Sequence, residues 1–419
     1  MDNGSVNRSY TGANLPTLRS HNAALVLDLL RTAGEAGISR LELAEGTGLT
    51  PQAVSKITAR LRAEGLAAEA GRRPSTGGKP RTVLRLVPDA GYAVGLHLDR
   101  DELTGVLVDL AGTTVAVRRA PLDLGADAEV VLEAATRAVA ALVLPPPGPE
   151  RGPTTPGPER GLTLLGVGVA APGPLDHGRG VLHRVTGFPQ WDGFALRDVL
   201  SERLGLPVVV DKDTNAAALG LALRARPGGG SFAYLHLGTG LGSGLVLGGA
   251  LYRGARTGAG EFGHQTLQLD GPPCSCGGRG CVEALCLAAV AGGDLAEAAR
   301  VLGTGAANLV GLLDIDRVLL GGRVVAADEE VFVRGVEAVL ADLARREGSG
   351  PAVPVAAVAG DGRAVADGAA QLVLAPVFGH ADIAFPGAAS GAGAAEGASG
   401  ADGAAGGSGG PLGGFPAVI

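Results

Sequence analysis

Four side chains with affinity for borderline metals, His264, Cys274, Cys276 and Cys281, fall within eighteen residues of one another. Imidazole and thiolate together suit a tetrahedral zinc ion, and Gly277, Gly278 and Gly280 let the backbone turn tightly enough to bring all four to one point. A disulfide is the competing use of the sulfurs. Cys274 and Cys276, however, are only two positions apart, a spacing poor for a disulfide and good for chelation. Cys286 follows an apolar stretch and reads as a buried free thiol. Structural zinc is therefore the expected cofactor.

A second group of residues has its chemistry in charge. The chain of 419 residues carries a net charge of -7, which would repel nucleic acid if it were spread evenly. Between Thr50 and Arg85, however, eight basic residues (Lys56, Arg60, Arg62, Arg72, Arg73, Lys79, Arg81 and Arg85) face only Glu64 and Glu69. A basic segment on an acidic protein is the electrostatic footprint of a DNA-binding module joined to something else.

The elements needed to present that charge are legible around it. Apolar residues at helical spacing (Leu25, Val26, Leu29, Leu30) predict a first helix over 18–30, and Ser39 caps a second that ends near Gly46. Thr50 and Pro51 open a third, with Val54, Ile57 and Leu61 as its buried stripe and Gln52, Ser55, Lys56 and Arg60 on the opposite face. Apolar stretches at 66–70 and 82–87 flank a basic, glycine-rich tip and predict a hairpin. Together they spell a winged helix-turn-helix over residues 15–88. Its third helix would enter the major groove, where Gln52, Ser55, Lys56 and Arg60 face the DNA. Arg72, Arg73, Lys79 and Arg81 of the wing would meet phosphates or the minor groove.

From Tyr92 the pattern changes to short apolar strands broken by glycine, at 93–98, 104–108 and 114–118, followed by a helix at 129–142. That order predicts an α/β domain over 91–380. Pro-Gly-Pro-Glu-Arg-Gly occurs twice, from Pro147 and from Pro156, so 145–161 reads as a disordered insertion, because a strand at 162–169 resumes the alternation. A further strand at 207–210 leads into a helix at 216–225. The Ala, Gly and Ser tail over 387–419 lacks the large apolar residues needed to offset the entropy of ordering. With few cysteines, no leader at Met1 to Tyr10 and no apolar run near the roughly 20 residues of a span, a cytoplasmic protein without membrane insertion is expected.

Glu261-Phe-Gly-His264 followed by Cys274-Ser-Cys276-Gly-Gly-Arg-Gly-Cys281-Val-Glu283 resembles, position for position, the ExGH and CxCGxxGCxE signature of the ROK family. Supporting matches are Ala171-Pro-Gly-Pro-Leu-Asp176, the turn Gly238 to Gly244 and Leu319-Leu-Gly-Gly322, so that the likeness runs from about Leu15 to Leu374. The family groups repressors and sugar kinases on a two-lobed, actin-like ATPase fold, and the winged module is similar to its repressor branch. The resemblance implies a sugar pocket between the lobes. It assigns hydroxyl contacts to Glu261, His264 and Glu283, pre-organised as acceptors by the metal loop, and the position of the family's base to Asp213.

The kinase pattern is broken elsewhere. Where the kinases carry an Asp-x-Gly-x-Thr phosphate turn, this chain has His97, Asp99 and Asp101, whose carboxylates would repel a nucleotide. Lys212 stands at a sugar-contacting Asn, and the segment from Thr186 through Gly187 to Trp191 lacks the Asn that precedes the sugar-site Trp. The interval from Glu283 to Leu302 is also shorter than the family's helical region, predicting a trimmed second lobe. The combined expectation is a non-catalytic, sugar-sensing regulator, in which Asp213 is a vestigial base. Its partners would be an operator in double-stranded DNA and a sugar or sugar derivative, and its assembly a homodimer or dimer of dimers. Two alternatives stay open: a bifunctional sugar kinase, favoured by Asp213 and the turn Gly238 to Gly244, and a DNA-binding protein whose second half serves only for dimerisation.

Overall fold

The computed structural model describes residues 21–73, 81–143, 162–185, 187–224, 230–348, 350–359 and 362–380. The start of the first predicted helix, the wing tip with Lys79, the insertion at 145–161 and the tail at 387–419 lie outside these residues, as does the side chain of Arg73.

The chain opens with α1 (His21–Ala33), β1 (Ile38–Ser39), α2 (Arg40–Thr47), α3 (Pro51–Ala63), β2 (Ala67–Arg73) and β3 (Arg81–Leu86). Ser39 caps α2 through a reciprocal box with Glu42, whose carboxylate accepts the Ser39 N–H at 2.7 Å. Thr50 accepts the Ala53 N–H at 3.2 Å and caps α3. Such caps satisfy helix-end donors and contribute about 1 kcal/mol each. The strands form a small antiparallel sheet in the order β1-β3-β2. In α3 the fully buried positions are Val54, Thr58 and Leu61, whereas Ile57 is only half buried. Thr58 is tolerated inside because its hydroxyl donates to the Ser55 carbonyl at 3.3 Å and accepts from Arg40 Nε at 3.3 Å.

Lobe one follows with β4 (Tyr92–Leu98), β5 (Glu102–Asp109), β6 (Thr114–Pro121), α4 (Ala128–Val143), β7 (Leu164–Ala171), β8 (Leu175–Asp176), β9 (Val181–Leu182), α5 (Leu196–Leu204) and β10 (Val208–Lys212). Its five-stranded sheet runs β10-β7-β4-β5-β6, with β4, β7 and β10 parallel. β10 continues past the predicted end at 210 and so carries Asp211 and Lys212 into the structure's centre. The next helix, α6 (Asp213–Arg224), starts three residues earlier than its alanine run. Trp191, expected beside the sugar, is instead buried in the core of lobe one, where its indole N–H donates to the Leu124 carbonyl at 2.9 Å and its ring meets Phe194 edge-on.

Lobe two comprises β11 (Phe232–Leu237), β12 (Leu241–Leu247), β13 (Ala250–Tyr252), α7 (Val282–Ala291), α8 (Leu295–Leu313), β14 (Arg317–Gly321), α9 (Arg323–Ala327), α10 (Glu329–Glu347) and β15 (Val355–Ala357). Its sheet runs β13-β12-β11-β14-β15. Between Glu283 and Leu302 the chain passes from α7 into α8, and these helices pack in the core with Phe262, Val282, Leu302, Phe332 and Val336.

One more helix, α11 (Ala364–Leu374), packs against α6, β4 and β7. It approaches the sheet so closely that a methyl group at Gly95 or Gly168 would collide with the carbonyls of Ala366 and Ala369, and one at Gly368 with that of Ala216. Beyond α11, Phe378 enters the apolar cluster shared by α1, β3 and β5. Arg31 of α1 lies over the Phe378 ring at 5.1 Å, and Asp28 faces His380 at 3.2 Å. The winged module is thus bolted to lobe one through the end of α11. No helix among the described residues is long and apolar enough to cross a membrane.

Candidate functional site

Four turns converge on the cleft between the lobes: the end of β10, the β11–β12 turn, the turn around Gly260 to His264, and the first turn of α7. Asp211 fixes the first. Buried almost completely, it accepts from Arg253 Nε at 2.8 Å and Nη2 at 2.6 Å, from the Lys212 N–H at 2.8 Å and from Asn215 Nδ2 at 3.0 Å. A buried charge with its lone pairs satisfied on this scale anchors a strand end rather than reacting. Asp213 then begins α6 facing the cleft, and its Oδ1 accepts the Thr214 N–H at 2.6 Å.

The metal loop is held by its backbone. Cys274 N–H donates to the Gly278 carbonyl at 2.9 Å, Gly277 N–H to Cys274 at 3.0 Å and Gly280 N–H to Pro272 at 2.8 Å. Gly280 sits at φ +60° against the Gln268 carbonyl, where any side chain would collide. His264, Cys274, Cys276 and Cys281 bring their ligand atoms within 4.8 Å of one another, and all the cysteines are free thiols. Cys276 and Cys281 Sγ are 3.8 Å apart, and Cys274 Sγ lies 3.7 Å from His264 Nδ1. Tetrahedral zinc with bonds of about 2.3 Å to sulfur spaces its ligands by roughly the same distances, so the residues present fit that ion. Burial, reinforced by the neighbouring sulfurs, pushes the Cys281 thiol up to about 12, and the Gly278 N–H holds Cys276 below its usual range. A dication would be needed to keep all three sulfurs as thiolates.

Glu283 leaves the loop for α7 and is buried. Its Oε2 accepts the Leu241 N–H at 2.9 Å and its Oε1 lies 3.4 Å from Ser275 Oγ, tying the metal loop to the Gly238–Gly244 turn. Glu261 is exposed at the opposite wall, where Lys212 Nζ donates to it at 3.2 Å and to the Ala259 carbonyl at 2.5 Å. Lys212 itself is buried. It therefore occupies cleft volume and claims one of the acceptors, which the substitution of Lys for Asn hinted at but did not specify.

The cleft is lined by Asp99, Arg100, Lys212, Asp213, Glu261, His264 and Glu283 together with the glycine turn. Its interior is small, about 90 Å³, below the roughly 300 to 1,000 Å³ of small-molecule sites. Lining of this kind offers mostly charged acceptors and donors. Arg100 and Thr239 lie in the two turns that the sequence singled out, whereas His236 reaches the cleft only through the fold. Burial pushes His236 down, and its Nδ1 is 2.9 Å from the Tyr234 hydroxyl. Burial opposes ionisation of Asp99, yet His97, the Arg100 N–H and the Thr239 hydroxyl together hold its carboxyl below the ordinary range.

On the winged module, Gln52, Ser55, Lys56 and Arg60 are exposed on α3 and Arg72 and Arg81 on the hairpin. Part of the basic surplus is paired at the surface: Arg60 with Glu64 at 3.2 Å, Arg62 with Glu69 at 3.0 Å and Arg85 with Glu35 at 3.4 Å. Exposed pairs of this type are worth about 0 to 1 kcal/mol and yield readily to phosphate.

Residues 155–292 match the model of the ROK family. The xylose repressor of Bacillus subtilis is 31% identical over 247 residues, which cover 59% of this chain and 61% of that protein. The chain thus spans about three fifths of the curated repressors it matches. The dual regulator NagC of Escherichia coli is 27% identical over 275 residues, 65% of this chain and 64% of NagC. Among solved structures, a ROK family glucokinase from Streptomyces griseus in complex with glucose and AMPPNP aligns with a TM-score of 0.55 and 26% identity, covering 67% of this chain and 99% of that one. A ROK family transcriptional regulator, a homologue of the Escherichia coli MLC protein, shares the fold over 86% of this chain and 98% of its own, with a TM-score of 0.64 and 22% identity.

Proposed function

Because the chain carries a ROK family domain behind a winged helix-turn-helix, we propose that it is a DNA-binding transcriptional regulator, a repressor, whose cleft binds a sugar without phosphorylating it. The observation that carries this reading is the coexistence of an exposed basic face on α3 and the hairpin with a polar cleft whose β4–β5 turn carries Asp99 and Asp101 in place of the kinase pattern's Gly and Thr. The repressor names of the curated relatives support the same reading.

In this reading Gln52, Ser55 and Lys56 touch base edges, while Arg60, Arg72, Arg73, Lys79 and Arg81 touch phosphates or the minor groove. Zinc, held by His264, Cys274, Cys276 and Cys281, supplies rigidity rather than reactivity. With Nδ1 turned to the metal site, His264 keeps its proton on Nε2 and donates to a sugar hydroxyl, not the accepting role that its sequence context suggests. Glu261 and Asp213 accept, and Glu283, tied to the Leu241 N–H, orders the floor. A neutral polyol fits best, since an acidic sugar would meet Asp213, Glu261 and Glu283 with only Lys212 and Arg100 to offset them. A homodimer in the cytoplasm, reading a two-fold operator, completes the proposal.

The kinase reading rests on Asp213 and the intact Gly238–Gly244 turn, and the dimerisation-platform reading on Lys212. Titrating neutral sugars against an operator complex of wild type and Glu261→Ala separates the sensing reading from the dimerisation platform. The proposal expects a response in wild type that is weakened tenfold or more in the variant, about 1.4 kcal/mol. An equal response in both, or none, would remove the sensing role.

A further inference from the structure

The turn between β4 and β5 carries three unusual residues, and each has a partner on the other lobe. Asp99 Oδ1 accepts the Thr239 hydroxyl at 2.8 Å while also accepting the N–H of its own neighbour Arg100 at 2.7 Å. Asp101 pairs with Arg323 Nη2, at the head of α9, at 2.8 Å. The His97 ring meets that of His236 edge-on, with centroids 6.2 Å apart and planes at 89°. Thr239 belongs to the glycine turn between β11 and β12, and Arg323 follows Gly321 and Gly322 at the end of β14. Lobe two thus presents a hydroxyl and a guanidinium towards lobe one, the donor set that would hold an anion bridging two glycine turns. The chain's own carboxylates take those donors.

We propose that Asp99 and Asp101 form a two-point latch that holds lobe one against lobe two, so that the protein rests with its cleft closed without any bound anion. The two points differ in kind. Asp99 and Thr239 are half-buried beside the cleft, so their bond is little screened and sets the closure. Asp101 and Arg323 have side chains 57% and 48% exposed, so their pair adds little and fades with salt. The edge-on approach of His97 to His236 adds a third contact between the lobes beside this latch. A carboxylate in this position also explains why the turn dispenses with glycine: the anion arrives on a side chain, and no backbone need approach it.

Hydrogen exchange followed by mass spectrometry on the full-length protein tests the latch. The variants are Asp99→Asn, Thr239→Val, their double mutant and Arg323→Gln. Either single change at the first point should speed exchange in both turns, 97–103 and 236–242, by about fivefold or more, with β7 unchanged. The double mutant should exchange no faster than the singles, because both remove one interaction. In wild type, raising the salt should speed exchange slightly, and Arg323→Gln should abolish that sensitivity. Thr239→Val nearly preserves shape, so it decides the matter if Asp99→Asn unfolds lobe one and β7 loses protection. Unchanged exchange in Thr239→Val, or additive effects in the double mutant, would overturn the proposal.

Discussion

At the residue scale the sharpest expectation concerns the metal. Purified protein should carry about one zinc per chain, and Cys276→Ser should lose it together with the order of the 265–281 loop, as judged by elemental analysis and proteolysis. Chelation should release Glu283 from Leu241, since Ser275 and the loop hold that carboxylate in place. A folded, reduced sample without metal would remove this argument. DNA contacts divide by role. Arg72→Ala should weaken binding to all duplexes alike and flatten the salt dependence, whereas Gln52→Ala or Lys56→Ala should change which sequence is preferred, measured by anisotropy across salt concentrations. The metal cluster was legible in the sequence because its ligands lie on one short loop, where spacing alone constrains geometry. Which ring nitrogen of His264 faces the sulfurs was not, since that depends on the fold of the loop.

At the scale of elements, the caps at Ser39 and Thr50 and the alternation in β4 and β5 were readable because local periodicity governs them. Element ends were less so: β10 runs on through Asp211 and Lys212 because those polar side chains find buried partners that no local pattern announces. Thr58 took the buried position expected for Ile57 for the same reason, a distant Arg40 supplying its hydrogen bond. Trp191 shows the limit of a motif: its neighbours differ from the family pattern, and its indole settles in the core of lobe one. The α1 contact with the end of α11 has a pH signature. Burial opposes the charge of Asp28, but His380 and Arg31 more than offset it and hold the carboxyl below its ordinary value. Its folded value being lowered, the stability it contributes is present above the unfolded value near 4 and is lost as pH falls through the folded one. Asp28→Asn should therefore lower the thermal midpoint near neutrality and converge on wild type in acid, below the lowered folded value, as followed by circular dichroism.

At the scale of the whole molecule, the proposal that the cleft does not phosphorylate its ligand rests most directly on the β4–β5 turn. Phosphoryl transfer from ATP to common hexoses should be undetectable in a coupled assay, because Asp99 and Asp101 place negative charge on the approach. Turnover abolished by Asp213→Asn would instead establish the enzyme. The other feature of this scale is α11, which touches lobe one's sheet, α6 and, through Phe378, the winged module. It is made after every strand and helix that it covers. On a ribosome, β4 and β7 therefore wait with bare glycine-lined faces, and α1 waits without its apolar partner, until nearly all of the described chain has emerged. The winged module, although made before α11, gains its final footing last, so a nascent chain holds that module in its finished orientation only once α11 has formed.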